Sequence, residues 1–189
     1  MKKIFFIGFN KTGTTSLHHL ISASGYISWH QSIDKWGSIA KIIERNALAG
    51  QHVLGEADTG DAYSDLCFLR DGKFVEANKW FESIYNDYPD AYYVLNTRPM
   101  SNWIRSRVNH GTFLDRYIMW TDCETKEEAL ERWRIDYRSH HSNVERFFKG
   151  KNNFLRFDIE EDNVQKLIDF LSPNYKLNPS NWRTHNKTA

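Results

Sequence analysis

Two kinds of segment alternate along the chain. Short apolar runs bounded by glycine, asparagine or charged residues predict buried strands over residues 3–8, 26–29, 52–57, 91–97 and 153–157. Between them, apolar residues at three- and four-residue spacing predict helices over residues 14–24, 34–48, 75–88, 99–110, 125–148 and 160–171. The punctuation agrees: Gly25 and Gly50 are natural helix stops, Asp34 is a candidate N-cap, Pro89 ends a helix, and Pro99 suits a first helical position. In the 75–88 segment Trp80, Phe81, Ile84 and Tyr85 share one side, and residues 172–189 read as a C-terminal loop. Strands alternating with helices predict an α/β fold whose mostly parallel central sheet is covered on both faces, with ligands at the carboxyl ends of the strands. At 189 residues, without a repeat or low-complexity linker, the chain is read as one domain, 1–189.

The first strand leads into the densest chemistry, Lys3-Ile-Phe-Phe-Ile-Gly-Phe-Asn-Lys-Thr-Gly-Thr-Thr-Ser-Leu17. Gly8 and Gly13 keep the Gly-x-x-x-x-Gly spacing of a P-loop, in which backbone N–H groups and the following helix N-terminus hold anionic oxygens. An ATP-using P-loop places lysine and then Ser/Thr directly after the second glycine. Here Thr14 and Thr15 stand there, and the lysine comes earlier, at Lys11. A lysine inside the loop reaches the bridging oxygen of a two-group anion, such as a phosphosulfate, without a metal. A second anion site is suggested by Tyr92-Tyr-Val-Leu-Asn-Thr-Arg98, an apolar strand ending in arginine, with Ser106 eight residues on in a helical segment. The arginine offers a planar fork to a phosphate dianion, and the hydroxyl offers a neutral donor beside it.

Together these two motifs resemble the sulfotransferase superfamily. The resemblance implies a P-loop-like three-layer α/β/α fold and 3′-phosphoadenosine 5′-phosphosulfate (PAPS) as co-substrate, with adenosine 3′,5′-bisphosphate as product and no metal required. It assigns Lys11 to the leaving 5′-phosphate, with Thr12, Gly13, Thr14, Thr15 and Ser16 binding that phosphate, and it assigns Arg98 and Ser106 to the 3′-phosphate. The segments from Asn153 to Leu171 and Trp182-Arg-Thr-His-Asn-Lys187 look like the closing elements of bacterial sulfotransferase domains, so His185, Asn186 and Lys187 become candidate nucleotide contacts. The general base departs from the family pattern. Cytosolic sulfotransferases use a histidine before Leu-Pro and carbohydrate sulfotransferases often a glutamate, whereas Gly55-Glu-Ala-Asp-Thr-Gly-Asp-Ala-Tyr-Ser-Asp-Leu-Cys67 carries no histidine. Asp65, which precedes Leu-Cys, and Asp61 are the leading candidates, and Glu56, expected at the end of its strand, resembles the carbohydrate-type glutamate. One of the three is expected to be the base, its pKa raised by burial.

Composition adds mainly exclusions. Twenty-five Lys plus Arg against 24 Asp plus Glu leave a net charge of +1, so nothing calls for nucleic acid or a membrane surface, and anion binding has to be local. Cys67 and Cys123 form no CxxC pattern and are expected to be free thiols, and the eight histidines form no HExxH or Cys/His cluster, so no metal site is expected. The N-terminal apolar run is interrupted at Asn10 and Lys11, too early for a signal peptide, and no later stretch approaches the ~18–20 apolar residues of a membrane span. A soluble, cytoplasmic protein is the expectation, of unstated oligomeric state, acting on a small-molecule or carbohydrate acceptor. Two other classes stay open. A P-loop small-molecule kinase shares the loop and sheet but needs ATP and Mg²⁺, and the missing lysine after Gly13 counts against it; a non-catalytic nucleotide-binding module keeps the fold without the base.

Overall fold

In the computed structural model, which describes residues 1–183, the N-terminal apolar run forms β1 (Ile4–Phe6). Its period-2 alternation sorts the side chains: Ile4 and Phe6 enter one hydrophobic cluster, Phe5 and Ile7 another. The neighbouring β8 (Tyr92–Thr97) repeats the division, with Tyr92 and Val94 on one side and Tyr93 and Leu95 on the other. Parallel pairing extends from β1 to β5 (Ala62–Ser64) and then β2 (Ser28–His30), and on the other side through β8 to β9 (Phe154–Asp158). Two short strands, β3 (Ser32–Ile33) and β4 (Gly37–Ser38), continue the β2 edge antiparallel.

Helices cover both faces, giving the expected three layers. Leu17, Leu20 and Ile21 of α1 (Thr14–Ala23) and Leu167, Ile168 and Leu171 of α7 (Val164–Leu171) close one face. The other is closed by α2 (Ile39–Leu48), α3 (Phe81–Asp87) and the C-terminal end of α6 (Lys126–Phe147). A third cluster sits against the loop after β1. Here Phe9 packs with Trp103 of α4 (Met100–Val108), Phe113 and Tyr117 of α5 (Phe113–Trp120) and Trp133 of α6. A separate hairpin, β6 (Cys67–Arg70) and β7 (Lys73–Glu76), joins that cluster through Cys67 and Leu69.

Several predicted elements differ from those observed. The segment 52–57 is not a strand: Asp87 takes the Val53 N–H at 2.7 Å, Asn46 donates to the carbonyls of His52 and Val53 at 3.2 Å, and Gly55–Ala57 is a 3-10 turn. The place beside β1 belongs to β5, whose three buried residues are too few to show a period. The predicted helix over 75–88 is strand to Glu76, a 3-10 turn at Ala77–Trp80 and only then α3. Asp71 and Gly72, both at positive φ, close the β6–β7 hairpin, the Asp-Gly signal of a tight two-residue turn. Asp34 does not cap α2; Ser38 does, accepting from Lys41 N after the β3–β4 turn. α5 was not foreseen, and α7 starts at Val164, capped by Asn163, because residues 159–163 form a loop at the cavity. Cys67 and Cys123 are free thiols, and among the described residues no helix is long and apolar enough to cross a membrane.

Candidate active site

The loop between β1 and α1 is built so that only its backbone and chosen side chains face outward. Gly8 lies against β8: its N–H donates to Asn96 Oδ1 at 3.0 Å, and a Cβ there would stand 1.9 Å from the Asn96 carbonyl oxygen. Asn96 also donates to the Thr12 hydroxyl at 2.6 Å, so one buried amide ties both ends of the loop to the sheet. Gly8→Ala therefore has to push the loop off β8, and thermal denaturation should show a loss of about 1–3 kcal/mol, the usual cost of overpacking. Trp103 Nε1 donates to Asn10 O at 2.9 Å and Arg98 Nη1 to Lys11 O at 3.2 Å, bracing the outer turn. Gly13, at φ 79, is the N-cap of α1.

A cavity of about 890 Å³ opens over this loop at the carboxyl ends of the strands, within the usual range for a small-ligand site. Lys11, Thr14, Thr15, Ser16, Arg98 and Ser106 all line it, so the structure brings the two segments to one cavity. Asp65, directly after β5, lines it as well. Among the described residues four non-glycine residues have positive φ, and three of them, Lys11, Gln31 and Asp65, line this cavity. Left-handed backbone at side-chain-bearing residues costs of order 1–3 kcal/mol each and concentrates at functional sites.

The electrostatics of the wall follow from burial. Burial lowers the Lys11 ammonium below its ordinary value, Asp65 opposes that, and Arg98 adds to it; its Nζ lies 3.3 Å from His110 Nδ1. Burial pushes Asp65 up to about 7, with Lys11 and Arg107 pulling it back, and its Oδ1 is buried without a hydrogen-bond partner. His30, the last residue of β2, stands 3.5 Å from Asp65 Oδ2 and 3.2 Å from the Thr14 hydroxyl. Burial, helped by His18, drives its pKa down to about 4, so near neutral pH this is an uncharged imidazole against a carboxyl group rather than an ion pair. Arg98 is engaged by Glu160, whose other oxygen accepts from Asn102 Nδ2 at 2.6 Å. A phosphate that takes the Arg98 fork has to displace that carboxylate.

Other expected site residues fall elsewhere. Asp61 precedes β5, at the amino end of the sheet: its carbonyl accepts from Ile4 N at 2.8 Å and its carboxylate from Ile27 N at 2.9 Å. Glu56 is exposed in the 3-10 turn before that same end rather than at a strand terminus. The structure thus separates both from Lys11, and of the three carboxylates only Asp65 reaches the cavity. The Thr12 hydroxyl points inward, donating to Phe9 O, which leaves that residue only its backbone for a ligand. His185, Asn186 and Lys187 lie outside the described residues.

Several residues of the site were not anticipated. His30 was missed because its strand was predicted to stop at residue 29; a histidine ending a strand was the available signal. Arg107 is fully buried, paired with Glu76 and donating from Nε to Asn10 Oδ1 at 2.8 Å, and nothing local distinguishes it from its neighbour Arg105. Glu160 enters from the end of β9, a strand far from Arg98 in sequence.

Comparison with known proteins bears on this arrangement. No curated protein matches the chain. Residues 3–127, which hold the β1–α1 loop, Asp65, Arg98 and Ser106, match the sulfotransferase domain family. With well over half of its length covered by that match, the chain belongs to the sulfotransferase domain family.

Proposed function

We propose that the protein transfers a sulfuryl group from PAPS to an acceptor hydroxyl or amine, leaving adenosine 3′,5′-bisphosphate. The observation that carries this reading is a single cavity lined by Lys11 and the α1 N-terminus, by Arg98 with Ser106, and by Asp65. A donor with a phosphosulfate at one end and a 3′-phosphate at the other needs two anion sites and a base between donor and acceptor. ATP offers no group for the second site.

Each step has a residue. Arg98 and Ser106 bind the 3′-phosphate after Glu160 yields the guanidinium, and Ile159, beside Gly13, and Trp182 supply apolar surface to the cavity. N–H groups of residues 12–16 and the start of α1 hold the 5′-phosphate. Asp65, which lines the cavity, takes the acceptor proton as the acceptor oxygen or nitrogen attacks sulfur in line. The bond from sulfur to the 5′-phosphate oxygen breaks, and Lys11 neutralises the charge that develops there. The product carries the new sulfuryl bond, and the proton rests on Asp65.

Calorimetric titration with adenosine 3′,5′-bisphosphate, beside adenosine 5′-monophosphate and ATP with Mg²⁺, tests the donor assignment. Selective binding of the bisphosphate is expected. Arg98→Ala should weaken it by roughly 10–100-fold, the range for a hydrogen bond to a charged group. Lys11→Ala should change that affinity little but lower kcat by roughly 10²–10³-fold, as for loss of one preorganised charge-stabilising donor. A preference for ATP with Mg²⁺ would refute the reading in favour of phosphoryl transfer.

A further inference from the structure

The cavity extends well beyond the half that the donor occupies on this reading. Along the carboxyl edge of the sheet, strand order places Glu160 after β9, Arg98 after β8, Lys11 after β1, Asp65 after β5 and His30 at the end of β2. The donor motifs follow β8 and β1, so the rest of the cavity lining is left for the acceptor. Outside those motifs the cavity is also lined by Gln31, Ser32, Phe68, Arg70, Phe113 and Arg116.

Arg116 is built into it. The side chain is half-buried, with Nη1 donating to Leu69 O at 3.2 Å and Nε to Thr112 O at 3.4 Å, which fixes the guanidinium between α5 and β6. Among the described residues neither Arg116 nor Arg70 pairs with a carboxylate. The two carboxylates that line the cavity are engaged elsewhere: Glu160 with Arg98, and Asp65 in the field of Lys11 and Arg107. His110, 3.3 Å from Lys11 Nζ, is held below its ordinary pKa by burial and then by Lys11 and Arg116, so Arg116 adds to the positive charge around the cavity. A half-buried cation without a counter-charge favours an oxyanion placed beside it, and an arginine fixed by backbone carbonyls presents a preorganised fork to that group.

We propose, on the sulfuryl-transfer reading above, that the acceptor is a hydroxyl compound bearing an oxyanion, either a carboxylate or an existing sulfate ester, and that Arg116 binds that group with Arg70 at the outer rim. Phe68 and Phe113 supply apolar surface to the same cavity. The charged group, rather than the reacting hydroxyl, then sets which compounds are accepted.

The test is titration of the protein saturated with adenosine 3′,5′-bisphosphate, using two matched sets of probes. The sugar set is methyl glucoside, methyl glucuronide and glucose 6-sulfate; the phenol set is methyl 4-hydroxybenzoate, 4-hydroxybenzoate and 4-hydroxyphenyl sulfate. In at least one set an anionic member should bind about 10-fold or more tighter than its neutral partner, the lower range for a charge-assisted contact. The carboxylate and sulfate arms distinguish the two sources of charge. Arg116→Gln should abolish the advantage while bisphosphate affinity stays within about 2-fold, which also reports an intact fold; Arg116→Lys, keeping charge without the fork, should retain part of it and substitutes as the test if the glutamine variant does not fold. Anions that bind no better than their neutral partners in both sets, or an advantage that survives the loss of Arg116, overturn this inference while leaving the donor assignment standing. Failure of the bisphosphate to bind the wild-type protein overturns both.

Discussion

Asp65→Asn is expected to lower kcat by roughly 10²–10⁴-fold, the contribution of a positioned general base, with bisphosphate affinity nearly unchanged. Asparagine keeps the volume and one accepting oxygen but cannot carry the acceptor proton away. The wild-type profile should identify the group. Because burial raises Asp65 to about 7, activity should climb with pH through about 7 as the carboxyl ionises. Stability should move the other way. The folded state holds this proton to about 7 whereas the unfolded chain releases it near 3.8, so the folded protein binds more protons across that window and its stability falls as pH rises through it. Rate profiles and denaturation curves at pH 5 and 8 measure both, and the Asp65→Asn variant should flatten each. His30 is the competing base, but an imidazole lowered to about 4 is a weak one. His30→Gln is expected to cost less than Asp65→Asn, and the reverse order would move the base to His30.

Glu76→Ala should destabilise the protein by about 3–5 kcal/mol, the cost of leaving a buried charge without its partner, which for a chain of this size lowers Tm by on the order of 10 °C. Arg107 and Glu76 are 0% and 2% exposed at the side chain. The guanidinium lies 4.4 Å from the ring centre of Trp103, 5.1 Å from Trp133, 5.2 Å from Phe113 and 5.4 Å from Phe9, so water cannot replace the lost carboxylate. Burial alone would raise the Glu76 pKa, but Arg107 and Lys79 outweigh it and hold it below the ordinary 4.5. Its stabilisation is therefore present above about 4.5 and lost on further acidification. Urea denaturation of the single variant checks the magnitude. The pair also serves the site, since Arg107 holds Asn10 in the anion loop. Replacing both residues by apolar ones, as in Glu76→Leu with Arg107→Met, should recover much of the stability while still weakening bisphosphate binding. Recovery of both would show that the pair does not position the loop.

The contrast between what was readable and what was not follows from sequence separation. β1, its loop and α1 were legible because the apolar run, both glycines, Lys11 and the hydroxyl residues lie within fifteen consecutive residues, and a strand–loop–helix unit is decided locally. Arg98 and Ser106 were legible for the same reason, on a strand and the helix that follows it. The long helix α6 matched closely, with Thr125 as its cap. The region between residues 52 and 88 was misread because its strands are three or four residues long, below what periodicity resolves, although the Asp71-Gly72 turn was an available signal.

By itself, then, the sequence determined an α/β chain with a Gly-x-x-x-x-Gly strand–loop–helix unit whose lysine sits inside the loop and a later strand–helix unit carrying Arg98 and Ser106, because each of these is contiguous. Only the tertiary structure shows which of Asp65, Asp61 and Glu56 lines the cavity. Four residues along a chain separate Asp61 from Asp65, yet the intervening strand carries them to opposite ends of the sheet. Tertiary structure alone also brought His30 and Glu160 to the cavity, since parallel pairing brings the ends of remote strands to one edge, and no spacing in the sequence encodes which strands become neighbours; the packing of α4 and α5 likewise set Arg107 behind Asn10 and Arg116 in the cavity lining.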